Sequence, residues 1–416
     1  MNDTAGWMAT RTVTAELVVA IGTLVVLMAS PPPARAQADP PARVDRAQAD
    51  GDAGAAAQPV AQVSAVERAL NALEHGRARQ LLSVRDGFGV RIGGIENGSS
   101  LAAGPRWRKS TLFGGNLVLH GSAVASIRRE RALEMGWSIP KLGTDRLALA
   151  MDLSATHLSA ERFYDARQVA LPATAALFAL DERLITGTLS LAATDWLQIA
   201  SRLGQLDATS AALPGHTIST AAARGLGERP VFAVASLSAT VDARDVPGNP
   251  RQGGRYHVAV TRFDDQRLDR YSFTRVDADV EQHVSAFKRQ RLVTVRGLAS
   301  FSQAAPGHEV PFFLQPTLGG SRLLRGFVTD RFRAPNVIVL QAEYGWDIWP
   351  FLSAVAFYET GTATAHWREA IGLHDLRRDY GLGFRVGSAR QVALRTDVAF
   401  GSGEGTRISM RLNHAF

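Results

Sequence analysis

The sequence predicts an all-β protein: a transmembrane antiparallel β-barrel of about sixteen strands, with a short N-terminal helix or tether. Three observations carry that expectation. The chain ends in unbroken alternation, strand-like segments recur from about residue 99 onward, and one face of each well-marked strand carries charge. In the final segment, Ile408, Met410, Leu412, His414 and Phe416 share one face. Arg407, Ser409, Arg411, Asn413 and Ala415 share the other. Period two makes this a strand with one apolar side. A chain that stops mid-strand either pairs that strand or leaves an open edge. In a barrel the partner is the first strand.

From the N-terminus, Arg11, the apolar run from Leu17 to Met28, and Ala34-Arg35-Ala36 read as a secretory signal peptide over residues 1–36. The run is bounded by Glu16 and Pro31, and is short for the ~20 residues of a spanning helix. Residues 37–84 form a linker. It is rich in Ala, Asp, Gln, Pro and Gly, and over 64–82 it carries Val66, Leu70, Leu73, Leu81 and Leu82 at roughly helical spacing. That helix, interrupted at Gly76, would plug a lumen, lie on a membrane surface, or serve as a tether.

The barrel is expected over 85–416. Its strands are read at 99–109, 113–127, 131–140, 144–157, 168–179, 183–193, 195–208, 231–242, 254–264, 270–283, 289–301, 337–347, 350–362, 379–387, 391–400 and 406–416. In 337–347, Ile338, Leu340, Tyr344 and Trp346 oppose Gln341, Glu343 and Asp347. In 379–387, Tyr380, Leu382, Phe384 and Val386 oppose Gly381, Gly383, Arg385 and Gly387. Polar residues facing a wet lumen and apolar residues facing lipid give this pattern. Long connections (209–230, 302–336, 363–378) alternate with short ones (284–288, 348–349, 388–390). The exception is 158–167, which falls among the short connections without being a tight turn.

Composition permits a barrel and also a soluble exported β-protein: 46% of residues are hydrophobic, yet mean hydropathy is −0.04. There is no cysteine, which excludes thiol chemistry and Cys-based zinc sites. Lys and Arg number 46 against 39 Asp and Glu, but the arginines are spread along strands. No aromatic-basic module marks a nucleic-acid binder. Arginines facing a wet lumen or anionic lipid head groups account for the excess. No hydrolase elbow, zinc-protease helix, P-loop or dinucleotide fingerprint is present. His120 and the His366–Glu369 pair are isolated, so neither an enzyme nor a cofactor is expected. Seven tryptophans, several near strand ends, suit interfacial girdles or fill loops and lumen.

The longest connection contains Val310-Pro-Phe-Phe-Leu-Gln-Pro-Thr-Leu-Gly-Gly-Ser-Arg-Leu-Leu-Arg-Gly-Phe327. It resembles the sixth extracellular loop of the BamA/TamA outer-membrane assembly superfamily, with Leu324, Arg325, Gly326 and Phe327 as the hallmark tetrapeptide. The strand count places it between the eleventh and twelfth strands, as in that family. Phe357, Glu359 and Gly361 resemble the family's second hallmark on the next lumen-facing strand, with Glu359 where Asp is usual. The segments Asp242–Gly254 and Arg162–Tyr164 and the terminal Phe416, a barrel-insertion signal, extend the resemblance over about residues 85–416.

The resemblance implies residence in the bacterial outer membrane and a role in protein assembly or macromolecule translocation. Outer-membrane lipid and lipopolysaccharide are the implied surroundings, and client outer-membrane proteins or periplasmic partners the implied contacts. A passive channel or a structural surface antigen is the alternative. The family's periplasmic transport repeats are not recognisable in residues 37–98. Arg325 is expected to reach Glu359 inside the lumen, because a planar guanidinium held by a carboxylate offsets some of the ordering entropy of a long loop. Gly104 and Pro105 are expected on the first strand, at its seam with the last. There the missing proline donor would either weaken the closure or make a harmless bulge.

Overall fold

The computed structural model describes residues 86–95, 101–165, 175–287, 290–388 and 391–412. The signal peptide over 1–36, the linker and helix expected over 37–84, and the terminal Phe416 lie outside the described residues.

Sixteen strands form one antiparallel sheet, each paired with its neighbours in chain order. They are β1 (Gly87–Gly94), β2 (Leu101–Leu112), β3 (Leu117–Ser126), β4 (Arg131–Ile139), β5 (Leu147–Phe163), β6 (Ala176–Ala192), β7 (Leu197–Ala212), β8 (Val231–Asp242), β9 (Gly253–Asp265), β10 (Phe273–Ala286), β11 (Arg291–Ala304), β14 (Asn336–Trp349), β15 (Leu352–Thr364), β16 (Arg377–Gly387), β17 (Val392–Gly401) and β18 (Gly405–Leu412). The loop between β11 and β14 holds a small hairpin of β12 (Thr317–Leu318) and β13 (Phe332–Arg333).

The faces follow period two. Leu340 and Tyr344 on β14, Tyr380, Leu382 and Phe384 on β16, and Ile408 and Met410 on β18 are exposed on the outside. Their sequence neighbours Gln341, Asp379 and Arg385, and Glu359 and Asp397 on β15 and β17, are buried within. Leu203 on β7 and Leu237 on β8 are 65% and 61% exposed. A soluble protein rarely shows so much contiguous apolar surface, whereas the outer wall of an outer-membrane barrel requires it.

Sixteen strands agree with the expected number, but two differences cancel to give it. Where the sequence predicts two strands, at 168–179 and 183–193, the structure has one, β6, of 17 residues from Ala176 to Ala192. The charged Asp181-Glu182-Arg183 mimicked a turn. It is tolerated because β5, β6 and β7 have 17, 17 and 16 residues, more than the ~9–11 that cross a bilayer. Asp181 there takes His157 of β5 at 2.7 Å.

Conversely, β1 is a strand that the alternation rule does not predict. Its glycines at 87, 89, 93 and 94 hide the alternation of Phe88, Val90 and Ile92. Gly104 and Pro105 therefore lie on the second strand, opposite Arg91 and Val90 of β1. This corrects their placement at the seam. What Pro105 does accompany is a gap in the β2–β3 ladder, where paired positions jump from Ala103↔Ala125 to Arg106↔Ser122. The topological exception disappears too: the connection after β5 spans 164–175 and falls among the long loops.

The ends of the sheet are β1 and β18, and among the described residues no backbone pairing joins them. The interior is divided. At the long-loop end, Phe163, Phe178, Phe232 and Phe273 from four strands pack on Phe312 and Phe313 of the β11–β14 loop and Ile218 and Ala223 of the β7–β8 loop. At the short-turn end lies a polar cavity of about 1210 Å³. The β8–β9 turn reaches across its mouth: the Asn249 amide donates to the Ser388 carbonyl at 2.8 Å, and Arg251 meets Asp347 at 2.9 Å.

Candidate functional site: a loop pinned inside the lumen

The β11–β14 loop enters the lumen because its own sequence is apolar where it meets the wall. Leu318, Leu324 and Phe327 pack with Val337 and Val339 of β14 in a fully buried cluster. Phe327 lies edge-on to Phe332, with centroids 5.1 Å apart. Gly319 and Gly320 adopt φ of +108° and +102°, a region open to glycine but not to side-chain-bearing residues. Leu324 also lies at positive φ, +52°, immediately before the arginine. Such strain at a non-glycine persists only where the surroundings enforce it.

Arg325, 3% exposed, is the centre of the site. Its Nε donates to Glu359 Oε1 at 2.9 Å, and its backbone N–H donates to Glu359 Oε2 at 2.7 Å. One carboxylate thus grips both side chain and main chain. Nη2 lies 2.7 Å from Glu343, and Nη1 lies 3.3 Å from Asp397, as charge contacts rather than aligned hydrogen bonds. The guanidinium lies 3.5 Å from the centroid of Phe357, a cation–π contact in a dry setting. Burial pulls the guanidinium pKa down. Glu343, Glu359 and Asp397 outweigh that and hold it above the ordinary arginine value, so it stays charged.

Glu359 is itself supported by the Gln341 amide, which also donates to the Arg322 carbonyl at 2.9 Å. Asp397 is shared with Arg385 at 2.6 Å. Gly326 donates its N–H to Asp379 at 2.7 Å. A Cβ on Gly326 would lie 2.5 Å from Gly401 N and 2.6 Å from Gly401 Cα, so no larger residue fits there. Further along, the Val328 N–H and the Arg331 Nε both reach Glu404, at 3.2 and 2.5 Å. Arg331 also faces the ring of Tyr164 at 5.2 Å.

The structure therefore brings together Leu324, Arg325, Gly326, Phe327, Phe357 and Glu359. Gly361 lies beside them: a Cβ there would come within 3.4 Å of Leu318 Cδ1. Gly104 and Pro105 are elsewhere, on β2. Sequence reasoning missed Gln341, Glu343, Asp379, Asp397 and Glu404 as partners of the loop. Their inward parity on β14, β16 and β17 was the available signal for all but Glu404, which lies in the β17–β18 turn.

The chain has relatives among known proteins. The sequence profile of the Omp85 superfamily domain matches residues 111–416. The chain belongs to the Omp85 superfamily. It is similar in structure to BamA from Haemophilus ducreyi lacking POTRA domains 1–3, with a TM-score of 0.60, 12% identity, and coverage of 79% of this chain and 71% of that one. It is also similar to CdiB from Acinetobacter baumannii (TM-score 0.48, 12% identity, 78% of this chain and 59% of that one) and CdiB from Escherichia coli (0.49, 13%, 78% and 61%). The chain thus spans less than two thirds of either CdiB. No curated protein sequence matches it. This Omp85 chain is an outer-membrane β-barrel of the bacterial class that assembles outer-membrane protein or translocates protein across that membrane.

Proposed function

We propose that this Omp85 barrel assists insertion of client outer-membrane proteins, with the Arg325 loop as an internal brace beside the β17–β18 hairpin, whose last strand is not paired with β1 among the described residues. The observation that carries this reading is the clamp on Arg325, whose carboxylates come from β14, β15 and β17. A wall whose end strands are only 8 residues long needs a rigid interior to keep its shape while those ends exchange partners. Neither hydrolysis nor redox chemistry enters the scheme. Periplasmic partners would deliver clients, and lipopolysaccharide would surround the outer rim.

The passive-channel reading is disfavoured by the apolar packing that fills the long-loop end. Reconstitution into liposomes tests the choice. Insertion of a second, unfolded barrel protein is expected to accelerate with the wild type and to lose that acceleration in Arg325→Ala. Steady single-channel conductance without any acceleration would reverse the assignment in favour of a pore.

A further inference from the structure

Three arginines stand side by side on the lumen face of the last strands. Arg385 of β16 is directly opposite Arg395 of β17, and Arg395 is directly opposite Arg411 of β18. Like charges directly opposite one another across a ladder destabilise the sheet. Arg385 is neutralised by Asp397. Arg395 and Arg411 have no carboxylate at ion-pair distance among the described residues, and the Nε of each is buried without a hydrogen-bond partner. An unsatisfied buried donor is costly, so the row is paying for something other than cohesion.

The row opens into the polar cavity at the short-turn end. Among the described residues lining that cavity, eight are arginine and four are Asp or Glu. Four of those arginines are held by carboxylates, whereas Arg255, Arg322, Arg395 and Arg411 have no carboxylate at ion-pair distance among the described residues. With a volume of about 1210 Å³, the cavity exceeds the ~300–1,000 Å³ of sites for small ligands. Its rim is made of short turns, including Pro247–Arg251 and Pro350–Phe351. In an Omp85 barrel with its long loops outside, those turns face the periplasm.

We propose that the Arg395–Arg411 row binds acidic segments of an extended polypeptide entering from the periplasm. Guanidinium groups take side-chain carboxylates in paired hydrogen bonds. A row of them along neighbouring strands offers donors to successive carboxylates of one chain. The inference rests on the assembly reading for its supply of unfolded polypeptide, but its readout is separate.

The test uses the full chain in detergent and rhodamine-labelled peptides of alternating Glu-Ser, Gln-Ser and Lys-Ser, followed by fluorescence anisotropy. Only the Glu-Ser peptide is expected to bind, and more weakly as salt rises. The double variant Arg395→Gln/Arg411→Gln is expected to weaken binding by on the order of tenfold or more. It is also expected to melt no earlier than the wild type, because it removes a repulsive pair. Equal binding of Glu-Ser and Gln-Ser peptides, or undiminished Glu-Ser binding by the double variant, overturns the proposal. Displacement of the peptide by inorganic tripolyphosphate at matched charge also overturns it, by reducing the row to a general anion site. Peptide binding that persists alongside failed barrel insertion sinks the assembly reading and leaves this one standing.

Discussion

A guanidinium buried as deeply as that of Arg325 is stable only while its carboxylates remain. Removing one member of a buried pair leaves an uncompensated charge and costs about 3–5 kcal/mol. Glu359→Ala is therefore expected to release the loop, read as new trypsin cleavage between residues 317 and 333 in the detergent-solubilised barrel. Loss in Glu359→Gln is expected to be smaller, because the amide oxygen still accepts from the Arg325 main chain. An unchanged digestion pattern in Glu359→Ala would argue that apolar packing alone seats the loop. Gly326 gives an independent probe. With Gly401 backbone 2.5 Å from where a methyl would sit, Gly326→Ala is expected to expose the same cleavage sites without altering any charge. At this scale the sequence was informative about the arginine and its first carboxylate. Glu343 and Asp397 could be placed on the lumen face, but nothing in a linear pattern says which inward acids converge on one cation.

Among the elements, β14, β16, β17 and β18 were legible because bulky apolar residues recur at nearly every second position. Glycine-rich β1 and the charged middle of β6 defeated the same rule. In one case the small residues carried no signal, and in the other the strand outruns the bilayer. The outward positions that were read imply a sharp asymmetry. Leu203→Arg, on the exposed face of β7, is expected to destabilise folding into lipid vesicles by about 2–4 kcal/mol if it lies near the bilayer midplane. A urea titration with tryptophan fluorescence measures this. A shift under ~0.5 kcal/mol would mean that the residue does not meet hydrocarbon.

For the whole molecule, the decisive property is what happens between β1 and β18. Neither edge is paired to the other among the described residues, and β1 and β18 have 8 residues each, among the shortest strands of the sheet. A cysteine introduced at Val90 and scanned against Ile408, Met410 and Ser409 is expected to crosslink at one position under mild oxidation. That crosslink is expected to abolish acceleration of client insertion while leaving the barrel heat-modifiable on gels. Full activity of the crosslinked form would remove the free edges from the mechanism. The fold class could be read from the sequence because a wall with one apolar and one polar face imposes the same period on most of its strands. The split interior could not, because the aromatic cap and the polar cavity join residues more than a hundred positions apart.

The meeting of Gly326 with Gly401, and of Arg331 and Val328 with Glu404, carries one mechanical consequence. The tip of the final hairpin is fastened to the β11–β14 loop, so outward movement of the hairpin is coupled to that loop. On the proposed assembly role, levering β18 away would first require these fastenings to break, so the Arg325 loop would act as a clutch on the last hairpin.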